Sequence, residues 1–334
     1  MLERIRMTRT YRLHHLRLSL RADAPLHALL ADGLRFKGAV ESAFDQAPHV
    51  HLVFHAAPPP EPVPDDAEPL VEYDVGIALS HDGACYYLAR GTAVGVVDPE
   101  AQRVEVWLGE DYADLEDRET RALIFYFMAI ALVISLAYQG HYALHAAVLD
   151  RGGRGLLISA PSGSGKTTAT LNLLRAGWSY VSDDTVLLRR RNGGVEAVSY
   201  RRDFSLTPDT AAVFPELAAR SFGPPPGLRE KWRVDMDDFF PGRFVAVTRP
   251  RLLLFPQRTP DAPSRLEPLR LRDVFILLLS QSAIFITRAP GVREAYLAML
   301  RDLANQGQAL RLHAGPDLLD DPNRLDALLR PYLD

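Results

Sequence analysis

Apolar and polar residues alternate along "YRLHHLRLSLRA", Tyr11 to Ala22, and again along "HVHLVFHA", His49 to Ala56. A period of two predicts half-buried strands. Between them "APLHALLADGL", Ala24 to Leu34, predicts a short helix. From Tyr73 to Gly109, short apolar runs are broken at His81-Asp82-Gly83 and at Asp98-Pro99, the pattern of a β-meander. Residues 58–69, "PPPEPVPDDAEP", combine proline with acid and read as a surface loop or linker. Residues 1–115 therefore predict a smaller, strand-rich N-terminal domain without recognisable chemistry, and residues 116–334 a second domain.

From about Asp117 the pattern lengthens into helix, strand, loop, helix, strand. Ala122 to Tyr138 carries no charge and reaches the lower end of membrane-spanning length. Glu116, Asp117 and Glu119 lie just before it, and its far end runs straight into a strand. A helix buried in an α/β core is the expectation, with a membrane span or a partner-facing helix as alternatives. Further on, "TVLLRRRNGGVEAVSY" predicts a hairpin turning at Asn192-Gly193. A helix is expected to open near Pro208 behind a Thr207 cap. "RPRLLLFPQ" and "ALRLHAG" read as strands, and "LRDVFILLLSQS" and "GVREAYLAMLRDLANQG" as helices.

Composition narrows the function. The 334 residues are 47% hydrophobic and 24% charged, with a formal net charge of −4, so nothing draws the chain to nucleic acid in bulk. One cysteine, Cys85, excludes an internal disulfide and fits a reducing, cytoplasmic setting. The N-terminus is Arg-rich without an apolar core, so no secretion signal is read. Of the 38 basic residues only Lys37, Lys166 and Lys231 are lysines.

Lys166 lies in "APSGSGKT", Ala160 to Thr167, which has Walker A spacing with Ala160 in place of the first glycine. Glycines let successive backbone N–H groups turn inward around phosphate oxygens, and the helix that follows adds its positive end. ATP would lie on Ser162, Gly163, Ser164, Gly165, Lys166, Thr167 and Thr168, with Thr167 also on Mg²⁺. The flanks agree: "GRGLLISA" reads as a strand, and "KTTATLNLLRAG" as a helix ending at Gly177.

"GWSYVSDDTVLL" places a strand directly after that helix and ends it at Asp183-Asp184. Adjacent carboxylates on a strand end point in different directions, so one can hold Mg²⁺ while the other faces an acceptor hydroxyl as a base. The alternative is a pair that only caps the turn. His145 falls at the start of the strand before the loop, as a core, surface or site residue. Lys231, after "FGPPPGLRE", would close over the γ-phosphate or sit in a solvated basic turn. Arg201 and Arg202 would face an acidic acceptor or form an exposed pair.

The order "LHAAVLD…GLLISAPSGSGKTT…LLRAGWSYVSDDTVLL" resembles the catalytic core of the HPr kinase/phosphorylase family over about residues 141–190. That family has a Leu-His pair, a P-loop and an Asp-Asp pair at this distance from the P-loop lysine. The resemblance implies an α/β fold, a P-loop kinase core of the HPr-kinase (PEP-carboxykinase-like) type. It implies Asp183 as base, His145 beside it, and Asp184 and Thr167 near the metal. The chain departs from the family at Ala146, where those proteins have glycine, and at Thr167-Thr168, where they have serine and usually glutamate. The family's glycine-rich C-terminal signature is not found. In this the chain resembles divergent members, which include free-serine kinases and kinases of precursor peptides such as lasso peptides.

These features predict an ATP- and Mg²⁺-dependent kinase acting on a Ser or Thr hydroxyl of a peptide, protein or small molecule. Asp183, Lys166, His145 and Lys231 are the catalytic candidates, and Thr167 and Asp184 the metal ligands. No nucleic-acid partner and no membrane span are expected, and a homo-oligomer is allowed. The rivals are a nucleotide-hydrolysing switch ATPase and a non-catalytic ATP-binding partner module.

Overall fold

The computed structural model describes residues 6–161, 163–214, 217 and 232–333. They divide into two compact units. The first runs to Gly140 and takes back residues Phe285–Val292; the second begins at His141. The break thus falls after the long apolar helix rather than near residue 115.

The first unit is built on a nine-stranded sheet. Arg6–Leu13 and Leu16–Asp23 form a hairpin turned at His14 (φ 57°), and the five strands from Glu68 to Trp107 form the antiparallel meander. Val50–His55 joins the two halves by pairing parallel with Leu16–Asp23 and with Arg103–Trp107. The helix Arg118–Ala137 is capped by Asp117, whose side chain accepts the Thr120 N–H. It is long and apolar enough to cross a membrane, yet 67% of its most apolar stretch is buried. Phe127 meets Tyr112 edge-on, and Gly33 of the helix Ala24–Phe36 lies so close that a Cβ there would come within 2.8 Å of Met128 and Phe125. Its apolar surface is spent on its own unit, because burying it against the sheet and a second helix removes it from water.

In the second unit the central sheet runs, in spatial order, Ser179–Ser182, Ala147–Arg151, Arg154–Ile158, Pro250–Arg258, Gln308–Ala314 and Arg265–Pro268. It is mixed rather than purely parallel. Ala147–Arg151 is antiparallel to both neighbours, whereas the next three strands run parallel to one another. Because Ser179–Ser182 and Arg154–Ile158 both oppose the strand between them, they point the same way and end on one edge of the sheet. The helix Lys166–Arg175 covers this sheet with Leu171, Leu173 and Leu174. It closes as expected at Gly177, with Trp178 N–H donating to the Leu173 carbonyl at 3.0 Å. A second sheet holds Tyr142–His145, the hairpin Thr185–Arg191/Gly194–Ser199 and Val247–Thr248.

The C-terminal helix Arg324–Leu329 is fastened by one acid. Asp326, 2% exposed, accepts from Trp178 Nε1 at 2.9 Å, from Arg330 and from Arg151. Asp326→Ala should lower stability by about 3 kcal/mol, because a buried indole N–H and two guanidinium groups lose their acceptor together. Urea unfolding followed by tryptophan fluorescence measures this; an unchanged midpoint would show that the cluster contributes nothing.

Candidate active site

From Gly155 to Ile158 the strand Arg154–Ile158 is continuously buried and without charge, as a strand covered on both faces requires. After it the chain bends through Gly163 (φ 81°) and Gly165 (φ 95°), conformations that strain any residue with a Cβ. The helix starts at Lys166, so its first amide groups and positive end open onto this loop. Thr167 and Thr168 are half-buried in its first turn. Ser162 and Lys231 lie outside the described residues.

Lys166 is 8% exposed. Its ammonium donates to the Ala160 carbonyl at 2.5 Å and the Pro161 carbonyl at 3.4 Å, and lies 2.8 Å from His145 Nε2. An ammonium only donates, so Nε2 accepts and the imidazole proton resides on Nδ1. That nitrogen faces Asp184 Oδ1 at 3.5 Å.

His145 ends the strand Tyr142–His145 of the second sheet, rather than starting the strand before the loop. The chain then crosses at Ala146 into the central sheet. Register explains the meeting with Asp184: His145 pairs with Thr185, and Ala146 N–H donates to the Asp184 carbonyl at 3.1 Å. His145 N–H itself donates to the Gln281 carbonyl at 2.9 Å, fixing the end of the helix Leu271–Ser280.

The two aspartates have opposite surroundings. Asp184 is half-buried, with Arg201 Nη1 3.5 Å from Oδ2. Asp183 is 2% exposed; Oδ2 accepts the Ser205 N–H at 3.4 Å, and Oδ1 is buried with no hydrogen-bond partner among the described residues. Burial, and next the charge of Asp184, push the Asp183 carboxyl up to about 7 against the opposing pull of the Ser205 amide, Arg201 and Lys166. Burial alone would lower the Arg201 guanidinium, but Asp203 and the site aspartates hold it firmly charged.

Lys166, His145, Asp184 and Asp183 thus lie close together, while Arg201 and Arg202 part company. Arg202 pairs with Asp237 and stacks 4.1 Å over Phe244. Arg201 turns to the site's own carboxylates. Asp203, Ser205 and Ser182 were not anticipated. A signal existed for Asp203, since Arg201 and Asp203 stand two apart as the chain enters the strand Asp203–Leu206. Among the described residues no group of three or more His, Cys, Asp or Glu side chains is placed to hold a metal.

The SynChlorMet cassette protein ScmC family matches residues 111–202, which include the glycine loop, His145, both aspartates and Arg201. Over 121 residues the chain is 27% identical to the HPr kinase/phosphorylase of Clostridium botulinum, covering 34% of this chain and 36% of that protein. The chain therefore spans about a third of the length of the curated relative it matches. A solved structure, the Hpr(Ser) kinase/phosphatase from Coxiella burnetii, matches with a TM-score of 0.34 and 14% identity, over 57% of this chain and 88% of that one.

Asp183 makes a stability prediction that needs no ligand. Its folded carboxyl holds a proton more tightly than the unfolded one, so its contribution is fully present below about pH 4 and is lost as pH rises through about 7. Asp183→Asn stays neutral throughout. The variant should gain on the parent chain by on the order of 3 kcal/mol between those limits, measured by urea unfolding across pH. A difference that does not change with pH would refute the buried, proton-binding state of Asp183.

Proposed function

Because the chain is HPr-kinase-like in sequence, we propose that it is an ATP-dependent kinase that transfers the γ-phosphoryl group to a Ser or Thr hydroxyl. The observation that carries this reading is the row from Lys166, at the start of the glycine-loop helix, through His145 to Asp184, beside a buried carboxyl, Asp183, whose Oδ1 has no partner among the described residues. A buried acid with a proton affinity near neutrality is suited to take a proton from an alcohol.

In this reading Gly163, Ser164, Gly165, Thr167 and Thr168 offer backbone N–H groups and the positive helix end to the triphosphate, and Lys166 meets its charge. The acceptor oxygen forms its bond to the γ-phosphorus as the bond to the β–γ bridging oxygen breaks. The acceptor's proton passes to Asp183. Catalysis is then chiefly positioning and charge stabilisation.

In this reading Asp184 and Thr167 would hold Mg²⁺, an ion that keeps several waters and binds through one or two protein groups plus phosphate oxygens. When bound, it would neutralise charge on the phosphates. The acceptor class follows the proposed chemistry: a peptide, a protein or a small molecule with a free hydroxyl.

The test follows the label of γ-labelled ATP with Mg²⁺, in the presence of free serine, HPr or serine-bearing peptides. Lys166→Met should abolish nucleotide binding. Asp183→Asn should bind ATP as the parent chain does and transfer at least about 100-fold more slowly. Label found only as inorganic phosphate, whatever the acceptor, would replace the kinase by an ATPase. Full transfer by Asp183→Asn would remove Asp183 from the role of base.

A further inference from the structure

Arg201 holds more of the site together than any other side chain there. Its backbone is clamped to the residue before the aspartate pair. Ser182 Oγ accepts from Arg201 N–H at 3.2 Å, and its single hydroxyl proton lies between the Thr185 carbonyl at 2.6 Å and the Arg201 carbonyl at 2.9 Å. Ser182 is fully buried, so this clamp is shielded from water. The guanidinium then forks onto Asp203, with Nε and Nη2 each 3.0 Å from a carboxylate oxygen, and Nη2 also donates to Ser205 Oγ at 2.9 Å. Its remaining edge, Nη1, faces Asp184 Oδ2.

We propose that Arg201 is a positioning residue for the transfer: locked to Asp203 and Ser205, it fixes the Asp184 carboxylate and the strand whose Ser205 amide rests on Asp183. This role rests on the kinase reading above and deepens it.

Three features of the geometry support it. A bidentate guanidinium–carboxylate pair is rigid in plane as well as in distance, so the Nη1 edge is aimed rather than merely near. Asp203 is 3% exposed and Arg201 is mostly buried, so the pair is little loosened by solvent. The Asp203–Leu206 strand that carries Ser205 also pairs with Trp232–Asp235, giving the fork a fixed base. Lysine at position 201 would keep the charge but could not hold Asp203 and Asp184 in one plane.

Release of inorganic phosphate from Mg-ATP, the water reaction of such a site, gives a readout that needs no identified acceptor. Arg201→Lys should lower kcat about 10- to 100-fold, the usual effect of misplacing a site group. The KM for ATP and equilibrium binding of a fluorescent ATP analogue should stay within about threefold, since the Arg201 guanidinium is held by Asp203, Ser205 and Asp184 and by no described residue of the glycine loop. Arg201→Ala should regain activity when guanidinium ion is added, and Arg202→Gln, whose side chain lies on Asp237 and Phe244, should keep the parental rate. Parental kcat in Arg201→Lys, or loss of kcat and nucleotide binding in step, would overturn the role while leaving the kinase reading in place. A parent chain that yields no phosphate from ATP and also labels none of free serine, HPr or serine-bearing peptides would sink the kinase reading, and this role with it.

Discussion

Two carboxylates one residue apart cannot both be buried and both be charged, and this constraint organises the whole site. Each negative charge needs either water or a positive partner, and the low dielectric of the interior makes an unpartnered one expensive. The protein separates the two. Asp184 stands in a row of alternating donors and acceptors that runs Lys166, His145, Asp184, Arg201, Asp203. Asp183 is left beside that row with a single amide on one oxygen, and it resolves its burial by binding a proton more tightly. Had Arg201 been shared evenly between the two acids, their surroundings would differ far less.

That separation depends on chain direction as well as on charge. Ala147–Arg151 runs against its neighbours, so His145, just before it, lies between the ends of Arg154–Ile158 and Ser179–Ser182. A purely parallel sheet would have carried His145 to the opposite edge, away from Lys166. Ala146 sits at the crossing, fully buried, with its N–H on the Asp184 carbonyl.

Much of this was readable before any coordinates, and the parts that were not share a cause. Local signals carried the strand, glycine loop and helix around Lys166, the Gly177 stop, the Asn192-Gly193 turn and the Thr207 cap, because each is set by residues within a few positions. The row through Arg201 was not readable. Asp184 and Arg201 are brought together by the Thr185–Ser199 hairpin, and a sequence shows that Arg201 is basic without showing which acid it will meet. The direction of Ala147–Arg151 is unreadable for the same reason. Hydrophobic periodicity gives the faces of a strand and is blind to its direction.

The domain boundary shows the limit of local reading most clearly. The charge-free run Ala122 to Tyr138 marked a core helix but could not say whose core, and that helix, Arg118–Ala137, packs on the sheet that precedes it. Residues 285–292 extend the argument. They follow the helix Leu271–Ser280 in sequence, yet Arg288 N–H donates to the Tyr86 hydroxyl at 2.9 Å, its guanidinium pairs with Glu68, and Tyr86 in turn meets Tyr138 at 3.1 Å. The Tyr86 ring is fully buried, so without that returning segment its hydroxyl would lose a donor it cannot replace from water. The first unit is thus completed by residues far downstream. Neither a cut at residue 115 nor one after Gly140 yields a fragment with all its buried polar groups satisfied, because the chain closes its first core only after it has built most of its second.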